Sequence, residues 1–185
     1  MNYNPEKHQS RSIRLQGYDY SQAGYYFVTI CCYKRQCLFG EVIDGVMQLN
    51  QYGEIVEQEW MQSSLIRQEI GLDRYILMPN HFHGIVIINP VGVKGRSPLP
   101  QSSNQSIIPS MKPKSLSSLM AGFKSSVTKQ INLIRNAPGT PVCQSNYYEH
   151  IIRNEESLNK IREYIINNPL SWELDQLHPN NPSKW

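Results

Sequence analysis

The chain has 185 residues, 39% of them hydrophobic and 18% charged, with a formal net charge of +3. That length suits one domain with a substantial core plus extensions, and no run approaches the roughly 20 apolar residues of a bilayer-spanning helix, which excludes an integral helical membrane protein. The slight positive charge permits a polyanionic partner without demanding one.

The opening segment, MNYNPEKHQSRSIRLQGYDY, is polar and lacks the apolar core of a secretory signal. The first predicted element is a strand over Tyr25-Tyr26-Phe27-Val28-Thr29-Ile30-Cys31-Cys32, dense in aromatic and β-branched residues. Adjacent Cys31 and Cys32 point to opposite faces of such a strand, and with Cys37 and Cys143 they suit neither a zinc ribbon nor a disulfide framework. Reduced thiols in the cytoplasm are the simpler expectation. Asp44-Gly45 predicts a tight hairpin between Glu41-Val42-Ile43 and Val46-Met47-Gln48-Leu49.

From Gln51 to about Arg67, Ile55, Val56, Trp60, Leu65 and Ile66 recur at helical spacing, with Glu54, Glu57 and Glu59 in the half where the helix dipole favours anions. Two β-rich runs, Leu72 to Met78 and Phe82 to Ile88, flank the turn-forming pair Pro79-Asn80 and read as antiparallel neighbours. Residues 89 to 114, rich in Pro, Gly and Ser, read as a flexible insertion. Ser115 to Asn136 returns to helical spacing with Lys124, Lys129 and Arg135 opposite its apolar stripe. A short strand over 147–152 follows, then a helix from about Glu155 to Asn167 that buries Leu158, Ile161, Ile165 and Ile166 and ends where Asn168 precedes Pro169.

This order predicts an α+β, ferredoxin-like sandwich: an antiparallel sheet with helices on one face, plus a C-terminal helix. One domain covers residues 1–185, with a polar N-terminal arm (about 1–20), the insertion (about 89–114) and a C-terminal tail (about 173–185).

Two segments carry chemistry. In Met78-Pro79-Asn80-His81-Phe82-His83, strand alternation projects His81 and His83 from one face and Phe82 into the core. Paired neutral imidazoles suit a divalent transition metal with coordination positions left open for substrate. An exposed strand position is expected for His81. In Tyr164-Ile165-Ile166-Asn167-Asn168, a helix places Tyr164 and Asn168 one turn apart on the same side, a phenol able to act as nucleophile beside an amide able to act as ligand. Viewed alone, each segment is better read as a pair of surface histidines or a boundary tyrosine packing its ring.

Together the segments resemble the single-tyrosine transposases of the HUH class, most closely the branch associated with repetitive extragenic palindromes (REP). The resemblance covers about residues 11 to 172 and also includes Leu38-Phe39-Gly40-Glu41, Asn50-Gln51-Tyr52-Gly53 and Tyr147-Tyr148-Glu149-His150-Ile151-Ile152-Arg153. It implies a divalent ion, Mg or Mn, on His81, His83 and Asn168. It implies that Tyr164 attacks a phosphodiester of single-stranded or hairpin DNA, leaving a 5′-phosphotyrosine and a free 3′-hydroxyl, which makes the C-terminal helix the catalytic helix. Relatives act as dimers or monomers, so a homodimer is compatible, and since the branch is bacterial the resemblance implies a cytoplasmic, nucleoid-associated protein. Where relatives commonly carry Trp-Gln-Arg, this chain has Cys143-Gln144-Ser145.

Phosphate contacts are expected from Arg14, Arg35, Lys124, Lys129 and Arg153. The competing readings are a catalytically silent hairpin-binding module and a metal hydrolase of small phosphate esters.

Overall fold

The computed structural model describes residues 15, 17–90 and 113–181. Arg14, nearly all of the N-terminal arm before residue 17, positions 91–112 of the insertion and residues 182–185 lie outside the described residues.

Among the described residues nine strands and α-helices follow in chain order: β1 (Gly24–Cys31), β2 (Gly40–Ile43), β3 (Val46–Leu49), α1 (Gln51–Ile66), β4 (Ile70–Met78), β5 (His81–Ile88), α2 (Leu116–Ile134), β6 (Tyr148–Ile152) and α3 (Glu155–Asn167). Short 3-10 turns cover Tyr33–Arg35 and Pro169–Leu174. The main sheet has the order β4-β5-β1-β6 and every recorded pairing is antiparallel, while β2 and β3 form a separate ribbon. Without the ribbon, the order is the βαββαβ of a ferredoxin-like α+β sandwich, to which α3 is added.

Local chemistry sets the boundaries. At the ribbon turn Asp44 and Gly45 both take positive φ, 50° and 74°, the twist that matches a right-handed hairpin. Asn50 caps α1 through its side-chain oxygen, which accepts from the amides of Tyr52 and Gly53. Ser115 and Ser118 form a reciprocal capping box on α2. Asn154 caps α3, and Glu155 and Glu156 occupy its first turn.

Alternation along the central strands then divides the molecule into two layers. Tyr26, Val28 and Ile30 of β1, with Phe82, Val86 and Ile88 of β5, pack under α1 and α2 against Val56, Trp60, Leu119 and Phe123. Gly84 is needed there, because a Cβ would lie 2.8 Å from atoms of both Phe82 and Trp60. The odd-numbered residues face the other way, where Phe27 and Ile85 pack with Ile152 and with Leu158 and Ile165 of α3. Ile166, expected to be buried, is 57% exposed, since it lies about 100° round the helix from Ile165. Leu65 and Ile66 are likewise exposed at the last turn of α1. Among the described residues no helix is long and apolar enough to cross a membrane.

Candidate active site

The odd-numbered face of β5 carries His81, His83 and Ile85. Across the sheet His83 pairs with Thr29 of β1 and Ile76 of β4, and His81 pairs with Cys31 and Met78. The two imidazole rings lie 4.6 Å apart. His81 is not exposed as expected: its relative exposure is 0%, and that of His83 is 3%. Burial comes from what crosses this face, namely α3 and the chain after it. Phe27 stacks on His83 at 5.3 Å, the Tyr164 ring meets it edge-on at 5.2 Å, and Trp172 lies 6.0 Å from His81.

Both nitrogens of His83 have a protein partner, whereas His81 has a partner on one nitrogen. His83 shares a 2.7 Å hydrogen bond between Nδ1 and the Thr29 hydroxyl, while its Nε2 lies 3.2 Å from the Tyr164 hydroxyl. His81 Nδ1 lies 2.8 Å from Asn80 Oδ1. Its Nε2 and the Oδ1 of Asn168 are buried and make no hydrogen bond among the described residues. A buried polar atom left so costs on the order of 1–3 kcal/mol, and the Asn168 side chain also acts on His81 directly, so the two belong to one polar site that a cation could fill.

Asp175 completes the cluster. One ligand atom each from His81, His83 and Asp175 lie within 4.8 Å of one another, and Asp175 Oδ2 is 3.9 Å from His81 Nε2. That approach is not an ion pair: burial, and secondarily the neighbouring His83, holds the His81 pKa well below its ordinary value, against an opposing pull from Asn168. Burial also depresses His83, to about 3. Both rings are therefore neutral at physiological pH, the form that binds metal.

The half-exposed Tyr164 turns its hydroxyl into this space. Loss of water there, then the Asp175 carboxylate, pushes its pKa up to about 12, with Asn168 pulling the other way. Burial thus shifts the phenol and the imidazole in opposite directions, each toward its neutral form.

The site opens into a cavity of about 890 Å³ lined by Phe27, Thr29, Arg35, Tyr148, Tyr164 and Asp175, among others. Of the expected phosphate contacts, Arg35 reaches this cavity, its guanidinium donating to the Gln176 carbonyl at 3.1 Å. Lys124 and Lys129 line a second groove of about 1050 Å³ between α2 and residues 138–147, which meets the first at Gln144, Ser145 and Tyr147. Lys124 braces that junction by donating to the carbonyls of Gln144 at 2.8 Å and Ser145 at 2.5 Å. Arg153 is exposed just beyond β6. Sequence reasoning missed Thr29, Asn80, Trp172 and Asp175. Pro79-Asn80 signalled only a turn, and Asp175 falls in the segment read as a tail.

No family model matches the chain. It is 42% identical over 177 residues to a Haemophilus influenzae protein described only as uncharacterized, a match that spans 95% of this chain and 97% of that one. Among solved structures it superposes on a REP-associated tyrosine transposase bound to a REP hairpin, with a TM-score of 0.58 and 17% identity over 86% of this chain and 74% of the other. The likeness is one of fold.

Proposed function

The chain belongs to the family of the Haemophilus influenzae protein, and from that premise and the geometry of the site we propose a divalent-metal-dependent transposase or nuclease of single-stranded DNA, acting through a 5′-phosphotyrosine on Tyr164 at hairpin or palindromic sequences. The observation that carries this reading is the 3.2 Å approach of the Tyr164 hydroxyl to His83 Nε2, beside the unpartnered Nε2 of His81. A nucleophile and two metal-binding nitrogens meet where strand and helix cross. The fold likeness to a hairpin-bound transposase supports DNA hairpins as the first substrate to test.

His81 and His83 would hold the ion, Mg or Mn, with oxygen from Asn168 and Asp175. When bound it supplies polarisation of phosphate oxygens and offsets charge that builds in the transition state. The chain's own groups do the rest. Tyr164 Oη forms the bond to phosphorus, and the bond from phosphorus to the 3′ oxygen breaks, leaving that oxygen to take a proton. The phenol proton lost as Oη attacks is balanced by the proton that the departing 3′ oxygen takes up. The phosphotyrosine keeps the energy of the broken ester, so rejoining needs no nucleotide cofactor. Arg35 at the cavity rim contacts phosphate, and Tyr148 offers a face for base stacking.

The test incubates labelled single-stranded hairpin DNA with protein and Mn or Mg, then runs a denaturing gel. A protein–DNA adduct that disappears in Tyr164→Phe is the expected result. An adduct that survives that substitution removes Tyr164 from the chemistry, and binding without any adduct favours the silent hairpin-binding module.

A further inference from the structure

Asn80, at the turn between β4 and β5, is 1% exposed, and every polar atom of its side chain is engaged. Its Nδ2 donates to two carbonyls, Leu177 at 2.7 Å and Arg35 at 3.2 Å. Two acceptors on one atom identify that atom as the amide nitrogen, so the other, Oδ1, is the acceptor that faces His81 Nδ1 at 2.8 Å. An amide oxygen cannot donate. The proton of neutral His81 must therefore sit on Nδ1, and the lone pair sits on Nε2, the atom turned into the site. Thr29 exerts no such control over His83, because a hydroxyl can rotate to donate or accept.

The same side chain also governs Asp175. Leu177, whose carbonyl Asn80 holds, donates its own amide to Asp175 Oδ1 at 2.6 Å, and the other carboxylate oxygen lies 3.9 Å from His81 Nε2. The contacts form a chain from His81 to Asn80, Asn80 to Leu177 and Leu177 to Asp175, whose far oxygen ends 3.9 Å from His81 Nε2. The backbone closes the turn further, with the Asn80 carbonyl accepting from Cys32 N at 2.8 Å.

We propose that Asn80 is the positioning residue of the metal site, setting the tautomer of His81 and anchoring the segment that presents Asp175. The proposal rests on the reading of His81, His83 and Asp175 as a metal site. Partners behind a ligating histidine commonly affect metal affinity about 10- to 100-fold, which sets the scale.

Two variants of the full chain separate positioning from packing. Asn80→Ala removes the acceptor and both donors. Asn80→Asp keeps an acceptor for His81 Nδ1 but has no donor for the carbonyls of Arg35 and Leu177. The nitrogen chemical shifts of His81 in metal-free protein report the tautomer, and calorimetric titration with Mn²⁺ reports the site.

We expect wild type and Asn80→Asp to show a single Nδ1–H tautomer and Asn80→Ala to show a mixture. Mn²⁺ affinity in Asn80→Ala should fall about 10- to 100-fold. Amide exchange at Asp175 and Leu177 should speed up in both variants. A single tautomer and unchanged Mn²⁺ affinity in Asn80→Ala overturn the proposal. Should that variant fail to fold, loss of the Nδ1–H tautomer in Asn80→Asp, or unchanged exchange at Leu177 there, overturns it instead. A wild type that binds no Mn²⁺ overturns the metal site itself, a result distinct from the wild type binding and Asn80→Ala binding equally well.

Discussion

The two faces of the main sheet share one backbone and alternate residue by residue, yet they are built to different ends. Under α1 and α2 lies an apolar layer in which the Trp60 and Phe82 rings approach to 4.5 Å and glycine is needed at position 84. Under α3 the apolar packing of Phe27, Ile85, Leu158 and Ile165 gives way to two buried imidazoles, a phenol, an amide and a carboxylate. The first face supplies the rigidity that lets the second hold polar atoms without hydrogen bonds, an arrangement that costs stability where it stands. Face one should thus govern folding and face two chemistry.

The largest expected effect tests the chemical half of that division. Tyr164→Phe should reduce covalent adduct by more than about three orders of magnitude, as loss of a nucleophile does, and leave stability within about 1 kcal/mol, because the ring is half-exposed. A drop in melting temperature comparable to that of a core variant would show the phenol to be structural.

Trp60→Ala is the converse. Removing a side chain with no exposed surface should cost about 3–5 kcal/mol in a urea melt, while the molecules that remain folded keep their Mn²⁺ affinity. If affinity per folded molecule collapses as well, the two layers are not separable.

Metal removal comes next. Mn²⁺ at 100 times its dissociation constant should raise unfolding free energy by about 2.7 kcal/mol, reversibly with a chelator, and His81→Ala should show no such rise. An equal rise in that variant places the ion elsewhere.

The smallest effect concerns how α3 is latched to β4. Arg162 donates to both oxygens of Asp73, at 2.6 and 3.1 Å, and those hydrogen bonds lower the Asp73 pKa. A carboxylate with a folded pKa below its unfolded value of about 3.9 adds stability above that pH and loses it as pH falls through the folded value. Wild type should therefore lose more stability than Asp73→Asn between about pH 5 and pH 2, by less than about 1 kcal/mol because the Arg162 side chain is 31% exposed. Parallel stability curves would show that the latch contributes nothing to holding the tyrosine helix.

Much of the fold was legible in the chain itself. Period-two and helical patterns, the Asp44-Gly45 turn and Asn168 before Pro169 act within a few residues, so the elements and nearly all their ends follow from local chemistry. The pairing of His81 with His83, and of Tyr164 with Asn168, is local in the same sense, since strand and helix periods dictate which side chains share a side.

What distance in sequence separates, only the tertiary structure decided. Thr29 meets His83 across 54 positions, Tyr164 meets it across 81 and Asn80 meets Leu177 across 97. No local pattern encodes such contacts, because each depends on which strands pair and on where the chain travels after α3. For that reason His81 read as exposed in the sequence but is buried in the fold, and Asp175 read as tail but lies beside it. Alternation can say that two imidazoles share a face, but the energetic character of that face depends on what folds over it.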